Sequence, residues 1–441
     1  MTAIPPPTSD QRPLRVAHIS PSYGGVAVAA MRLHLALLRQ GVQSHFFASH
    51  VEGRDTSLPH SSVLTAPSRP LRYADTLTKV IASRTGLKGM LHVSSRRRSF
   101  DGYDVIHLHG ADTNWFNLNA LPRLSKRHAL VWTMHDQHLG TGACGYTELW
   151  DNCQRWRTGC GDCPLAHTEG WLFDSTHRIY QRKQHLLPAS KLAIVALNQW
   201  MLDFLRANPM TQQQTLRLIP NSVDTSLFTP HSQAESRAVL QLPAEGRLIL
   251  FVAANLSMPR KGARYYVPLL RALKERAGDQ PIGAVFVGAQ LPETWLELRA
   301  IMPVHALGRI NDVGRLAQVY SACDFFVVPS TIDNLPSTVI ESMACGTPVA
   351  GFRVGGIPDM IVPGQTGVLA DLGDVEGMAE AISAALDEPG RLEQMRQTCR
   401  ETVLARYSFE VQAASHIAFY HELLAQRRSN GHKRHEGGLG A

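Results

Sequence analysis

Short apolar runs alternate with longer amphipathic stretches along most of the chain. Leu14-Arg15-Val16-Ala17-His18-Ile19 alternates as a strand does, and Ala27 to Leu38 carries its apolar residues at helical spacing. Strand patterns return at Val105-Ile106-His107-Leu108 and at Leu130-Val131-Trp132-Thr133. The alternation restarts at Leu248-Ile249-Leu250-Phe251-Val252 and continues through Ala284-Val285-Phe286-Val287-Gly288, His305-Ala306-Leu307-Gly308 and Phe325-Phe326-Val327-Val328. Strands alternating with helices predict an α/β protein with parallel sheets. The break between the two series falls near Leu218-Ile219-Pro220-Asn221-Ser222-Val223-Asp224, which predicts one domain over 14–220 and a second over 221–408. An apolar-periodic helix is expected over 409–426. The start, 1–13, reads as a flexible leader, and the polar, glycine-bearing end, 427–441, as disordered.

The densest pattern lies at 329–359, PSTIDNLPSTVIESMACGTPVAGFRVGGIPD. It parses as a strand end, a turn, a helix through Val339, Ile340 and Met343, a second strand, and a glycine-bearing turn. Pro336 suits the first helical turn, where a missing N–H costs little. Asp333 lies in the turn before that helix and Glu341 in its second turn. Helical side chains tilt towards the N-terminus, so Glu341 can face a ligand there. Unpaired N–H groups at that end suit a phosphate, and a carboxylate accepts hydrogen bonds from vicinal hydroxyls. Backbone for phosphate and acids for hydroxyls fits a nucleotide-sugar diphosphate. Two solvated acids favoured by the helix dipole is the plain alternative.

Three further places carry candidate chemistry. Gly24-Gly25 joins the first strand to the first helix, where glycines let a backbone approach a ligand; a tight turn explains them equally. His109 and His135 follow the strands at 105–108 and 130–133, beyond whose carboxyl ends ligands gather in open α/β sheets. Arg260-Lys261 precedes a helix, where cations would stabilise a departing diphosphate; a surface loop pair is the alternative. Residues 140–165 hold Cys144, Cys153, Cys160 and Cys163, four of the seven cysteines. Their spacing gives one Cys-x2-Cys, so structural Zn²⁺ and free thiols both remain open.

Composition narrows the class. At 441 residues the chain exceeds one ordinary core, and 44% hydrophobic with 18% charged residues describes a globular protein. No apolar run reaches the roughly 20 residues that span a bilayer, and a cytoplasmic protein is expected. The net charge of +7 is uneven. Between 66 and 100 stand Arg69, Arg72, Lys79, Arg84, Lys88, Arg96, Arg97 and Arg98 against Asp75 alone. With Leu77, Val80, Ile81 and Leu87 they form an amphipathic helix suited either to anionic lipid on the inner face of a plasma membrane or to ordinary packing. No aromatic platform is interleaved, so nucleic acid is not an expected partner.

The stretch DNLPSTVIESMACGTPVAGFRVGGIPD resembles the acid-x7-acid signature of the retaining glycosyltransferases of family 4, with Asp333 where many members have Glu. The cysteine loop, with Trp156 and the later Asp-Ser-Thr, is similar to a bacterial polysaccharide branch of the colanic-acid type. The resemblance implies the GT-B fold, two Rossmann-like domains facing a central cleft, with the last helix crossing back onto the first domain. It implies transfer of a sugar from a nucleotide diphosphate to an acceptor hydroxyl with retained configuration and no catalytic metal. It implies that His135 contacts the donor sugar, Lys261 the diphosphate, Gly24 and Gly25 the cleft near phosphates and acceptor, and Gly308 the nucleobase region. Asn334, Leu335, Pro336 and Thr338 then line the donor site with Asp333 and Glu341. The family's separate upstream arginine is missing near Ala254-Asn255, where both residues are uncharged, and Arg260 is the expected substitute. The cysteine loop and basic helix together suggest a lipid-linked saccharide acceptor. A non-catalytic zinc-braced protein and a sugar-nucleotide epimerase are the alternatives; the joint presence of both acids and Lys261 speaks against the first.

Overall fold

The computed structural model describes residues 12–436 apart from 22–23, 50–57, 65–67, 88, 93–98 and 112–115, with side chains described to 429. Lys88, Arg96, Arg97 and Arg98 and residues 1–11 of the expected leader therefore lie outside the described residues.

Two parallel sheets form from the two series of apolar runs. The first contains β1 (Arg15–Ser20), β2 (Gln43–Ala48), β3 (Ser61–Val63), β4 (Val105–His109), β5 (Ala129–Thr133), β6 (Ala193–Ala196) and β7 (Thr215–Leu218), in the order β3-β2-β1-β4-β5-β6-β7. The second contains β8 (Arg247–Asn255), β9 (Ile282–Ala289), β10 (Val304–Gly308), β11 (Phe325–Val328), β12 (Val349–Phe352) and β13 (Gly367–Ala370), in the order β10-β9-β8-β11-β12-β13. Both orders reverse direction once, between β1 and β4 and between β8 and β11. Such a switch point opens a crevice at the carboxyl ends of the strands, where α/β proteins bind ligands. The architecture is the two-domain α/β arrangement of the GT-B fold.

Five helices bear on the site: α1 (Gly24–Arg39), α2 (Arg69–Thr85), α3 (Ser337–Ala344), α4 (Arg391–Arg406) and α5 (Phe409–Glu436). The inner strands are buried on both faces, which is why they read as apolar runs, while β3, β7 and β10 lie largely exposed or half-buried. One face of the first sheet packs Ile19, Ile106, Leu108, Leu130 and Trp132. The other packs Val16, Val105 and Val131 against α1 and α5 through Leu33, Leu37, Phe409 and Tyr420. Thus α5 returns to the first domain as expected, and it runs to Glu436 instead of ending near 426. Ten more residues, 427–436, continue it despite a serine, an asparagine and a glycine, where disorder was expected. At the expected boundary Val223 bridges Ser408, and its N–H donates to the Tyr407 carbonyl at 2.9 Å.

Candidate active site

The cations and the first acid meet at the switch point of the second sheet. After β8 the chain turns through Arg260, Lys261 and Gly262; after β11 it turns through Asp333. Lys261 Nζ lies 2.6 Å from Asp333 Oδ2, Arg260 Nη1 lies 3.1 Å from Oδ1, and Ser330 Oγ donates to Oδ2 at 3.2 Å. Burial opposes ionisation of Asp333, yet Lys261 and then Arg260 hold its carboxyl below the ordinary value. Arg260 also donates to the Ile332 carbonyl at 3.1 Å and stacks its guanidinium 5.0 Å from the Tyr146 ring centre. Gly262 permits this turn. Its φ is +82°, and a Cβ there would stand 1.8 Å from the Pro329 carbonyl oxygen.

Glu341 is buried in α3 and partnered across the cleft. Arg32 of α1 reaches it with Nη2 2.6 Å from Oε1, and the Tyr320 hydroxyl donates to Oε2 at 3.0 Å. Arg32 also sits 5.4 Å from the Phe228 ring centre. The second acid is therefore engaged by the first domain and not left open as the sequence suggested. Asn334 makes a second crossing. Its side chain donates to the Met134 carbonyl at 2.9 Å, and Asn198 Nδ2 donates to the Asn334 backbone carbonyl at 2.8 Å and to Asn334 Oδ1 at 2.6 Å. The Asn334 crossing lies next to Asp333 in the same turn.

The first domain meets this cluster with histidines at its own switch point. His135 Nε2 lies 3.1 Å from His109 Nδ1, and His109 Nε2 lies 3.2 Å from His18 Nδ1. His107, beside them, bonds the Tyr420 hydroxyl at 2.6 Å and Thr133 Oγ1 at 2.7 Å. Burial, and then neighbouring imidazoles, hold His18, His107 and His109 well below the ordinary histidine value. Burial lowers His135 to about 4 although Asp136 opposes it. These rings are neutral at physiological pH.

The remaining expected residues fall as follows. Gly24 and Gly25 begin α1, and among the described residues no atom would lie within 4 Å of a side chain added at either. Pro336 is the cap before α3, not a residue of its first turn; Leu335 is buried and Thr338 half-buried beside it. Gly308 ends β10 in an exposed, left-handed turn at φ +66°, open to solvent. Cys144, Cys153, Cys160 and Cys163 line one cavity of about 20 Å³. Burial pushes the Cys144 thiol up to about 12 and Cys160 up to about 11. Among the described residues, the group that brings three ligand atoms within 4.8 Å is His18, His107 and His109, so the sulfurs as placed do not form a closed four-thiolate sphere. In α2 the large apolar side chains do not pack inward: Tyr73, Leu77, Val80 and Ile81 are all exposed, while Leu87 beyond the helix end is half-buried. Arg32, Tyr320, Tyr146, Asn198 and His18 were not singled out by the sequence. Each acts through a partner distant along the chain, and only Arg32's place on the cleft-facing helix hinted at it.

Two family models match in tandem. One, glycosyltransferase family 4, covers residues 23–227, and the other, glycosyl transferases group 1, covers residues 246–388. The chain is 25% identical over 342 residues to a protein described as a colanic acid biosynthesis glycosyl transferase, WcaC, of Escherichia coli K12, a match covering 74% of this chain and 79% of that one. It is 28% identical over 308 residues to a D-inositol 3-phosphate glycosyltransferase of Acidothermus cellulolyticus, covering 63% and 64%. Among solved structures, sucrose-phosphate synthase from Thermosynechococcus elongatus superposes with a TM-score of 0.65 at 21% identity, covering 94% of this chain and all of that one. Anabaena HepE in complex with UDP-glucose superposes with a TM-score of 0.59 at 18% identity, covering 91% and 99%. The two structural likenesses speak for the fold.

Proposed function

We propose that this chain, which carries the tandem family 4 and group 1 glycosyltransferase domains on a GT-B fold, is a retaining enzyme of bacterial polysaccharide assembly. It moves a sugar from a nucleotide-diphosphate sugar to a hydroxyl of a lipid-linked saccharide. The observation that carries the reading is the cluster of Arg260, Lys261 and Asp333 at one switch point, with His135 bonded to His109 at the other. The diphosphate sits on Arg260, Lys261 and the N-terminal N–H groups of α3, replacing Asp333 as partner of the cations. Glu341 takes ribose hydroxyls, and His135 takes the sugar. The bond from the anomeric carbon to the phosphate oxygen breaks as the acceptor oxygen bonds to that carbon on the same face. The acceptor proton passes to the departing phosphate oxygen, and no catalytic metal is required. The wider support comes from WcaC, described for colanic acid biosynthesis, and from HepE, crystallised with UDP-glucose. The test is a panel of nucleotide sugars with lipid-linked and free saccharides, with product anomers read by NMR. Inverted product, or transfer to free sugars alone, refutes the corresponding part.

Two features serve the acceptor side. No described helix is long and apolar enough to cross a membrane. The exposed stripe of Tyr73, Leu77, Val80 and Ile81, with Arg69, Arg72, Lys79 and Arg84 on the same helix, suits shallow insertion among anionic headgroups. Vesicles containing phosphatidylglycerol should float the protein and neutral vesicles should not; equal flotation, or none, refutes it. For the cysteine loop we propose a structural zinc ion. Four thiols surround one cavity, the Gly142 N–H lies 3.2 Å from Cys160 Sγ, and Cys160 and Asp162 take left-handed backbone in the Cys-x2-Cys turn. Binding deprotonates the thiols and draws them together. Metal analysis should find about one zinc per chain; metal-free protein with fast-reacting thiols would overturn this.

A further inference from the structure

His18, His107 and His109 invite a metal reading, because their ring nitrogens lie within 4.8 Å of one another. The hydrogen bonds argue otherwise. Both nitrogens of His107 and both of His109 are already bonded, as is His18 Nδ1, and only His18 Nε2 lacks a partner. A cation there could take the free His18 Nε2 but would have to break hydrogen bonds on both His107 and His109.

The bonds instead form a chain that starts in the core and ends at the cleft. His18 is fully buried on β1, His109 is buried at the end of β4, and His135 is half-buried past the end of β5. Each of the two nitrogen–nitrogen contacts holds a single proton, so neutral rings admit two orders. In the inward order His135 donates to His109 and His109 to His18, which leaves the His18 Nε2–H buried without an acceptor. In the outward order His18 donates to His109 and His109 to His135, which leaves only a lone pair on His18 Nε2. Orphaned buried N–H groups are rare and costly, while under-satisfied acceptors are better tolerated. The outward order follows.

We propose that His18 and His109 are positioning residues that hold His135 as its Nδ1–H tautomer, so that His135 is a hydrogen-bond donor to the bound sugar and not a base. The other nitrogen of His135, Nε2, is occupied by the His109 Nδ1–H. Its Nδ1 makes no hydrogen bond to protein among the described residues and is not a buried orphan, so it is available at the cleft. A donor at this place can hold a sugar oxygen and fix the ring for same-face attack. It cannot accept the acceptor hydroxyl's proton, which leaves that proton to the departing phosphate. The inference rests on the donor-site reading above, but the tautomer itself does not.

Long-range proton–nitrogen NMR on protein with ¹⁵N-histidine reads the tautomer directly, with His135 assigned by the signal lost in His135→Gln. The wild type should show a protonated Nδ1 and a bare Nε2 on His135. His109→Asn keeps an amide donor near Nδ1 and should preserve that pattern; His109→Phe removes it and should shift His135 towards its Nε2–H form. UDP or GDP affinity should stay within about twofold in both variants, while turnover falls about tenfold or more in His109→Phe alone, the scale of one oriented hydrogen bond. A wild-type His135 protonated at Nε2 overturns the proposal even if no variant folds. An unchanged tautomer in His109→Phe also overturns it. The expected tautomers in a protein that transfers no sugar would sink the enzyme reading and leave the positioning chain standing.

Discussion

Acid should unfold this protein well above the range where carboxylates titrate, because its first domain buries neutral imidazoles. His34, His135 and His416 are each lowered from 6.5 to about 4, in every case first by burial. Hydrogen bonding to a backbone carbonyl opposes the shift at His34 and His416. The unfolded chain protonates these rings from about pH 6.5 downwards, and the folded chain does not until about pH 4. In that window the unfolded state binds more protons, so stability is full above pH 6.5 and is lost as pH falls. At pH 5 each of the three costs roughly 2 kcal/mol, about 6 kcal/mol together. That is a large part of a domain's total stability of about 5–15 kcal/mol. His18, His107 and His109 shift in the same direction and add to the loss. Asp224 and Asp333 are lowered from 3.8 by cations that outweigh burial, so their stabilisation is present above pH 3.8 and lost only below it. Urea unfolding followed by tryptophan fluorescence at pH 7.0, 6.0 and 5.0 should show the midpoint dropping steeply below 6.5. In His416→Asn the slope should ease by about one proton. A midpoint that is flat from pH 7 to pH 5 would refute the reasoning.

Two substitutions probe the cleft. Arg32→Ala removes the charged partner of Glu341 and, at about 1.5–3 kcal/mol for a charge-assisted bond, should let the domains part; solution scattering should show a larger radius of gyration, and an unchanged radius would show that Arg32 is no latch. Gly262→Ala places a Cβ 1.8 Å from the Pro329 carbonyl oxygen in a left-handed turn, so it should lower stability by about 1–3 kcal/mol and nucleotide affinity at least tenfold. Wild-type affinity in that variant would show that the turn does not set the cations.

Much of this was legible locally. β8, β11 and β12 were readable because buried parallel strands leave short apolar runs, and Asp333 and Glu341 because their spacing is fixed by one turn and one helix. His109 and His135 were placed by the strands that precede them. What escaped is what long-range packing decides. Arg32 and Glu341 are 309 positions apart, and Asn334 and Met134 are 200 apart; no periodicity reports such pairs. His18 reads as an ordinary strand residue until β4 is set beside β1, with His18 opposite His107. In α2 the apolar spacing was visible, but not that it faces outward. Cysteine spacing showed a cluster, yet not how far apart the sulfurs lie. The helical run to Glu436 overrode a polar, glycine-bearing composition, since α5 was already nucleated by its packing on the first sheet.

The most direct test is calorimetric titration with UDP and GDP, without divalent metal, on the wild type and on Lys261→Ala and Glu341→Ala. One nucleotide should bind the wild type at micromolar concentration; Lys261→Ala should lose the diphosphate contribution and Glu341→Ala the ribose contribution, each at least tenfold. Binding by the wild type that both variants leave unchanged would contradict the claim that Arg260, Lys261, Asp333 and Glu341 form a nucleotide-sugar site.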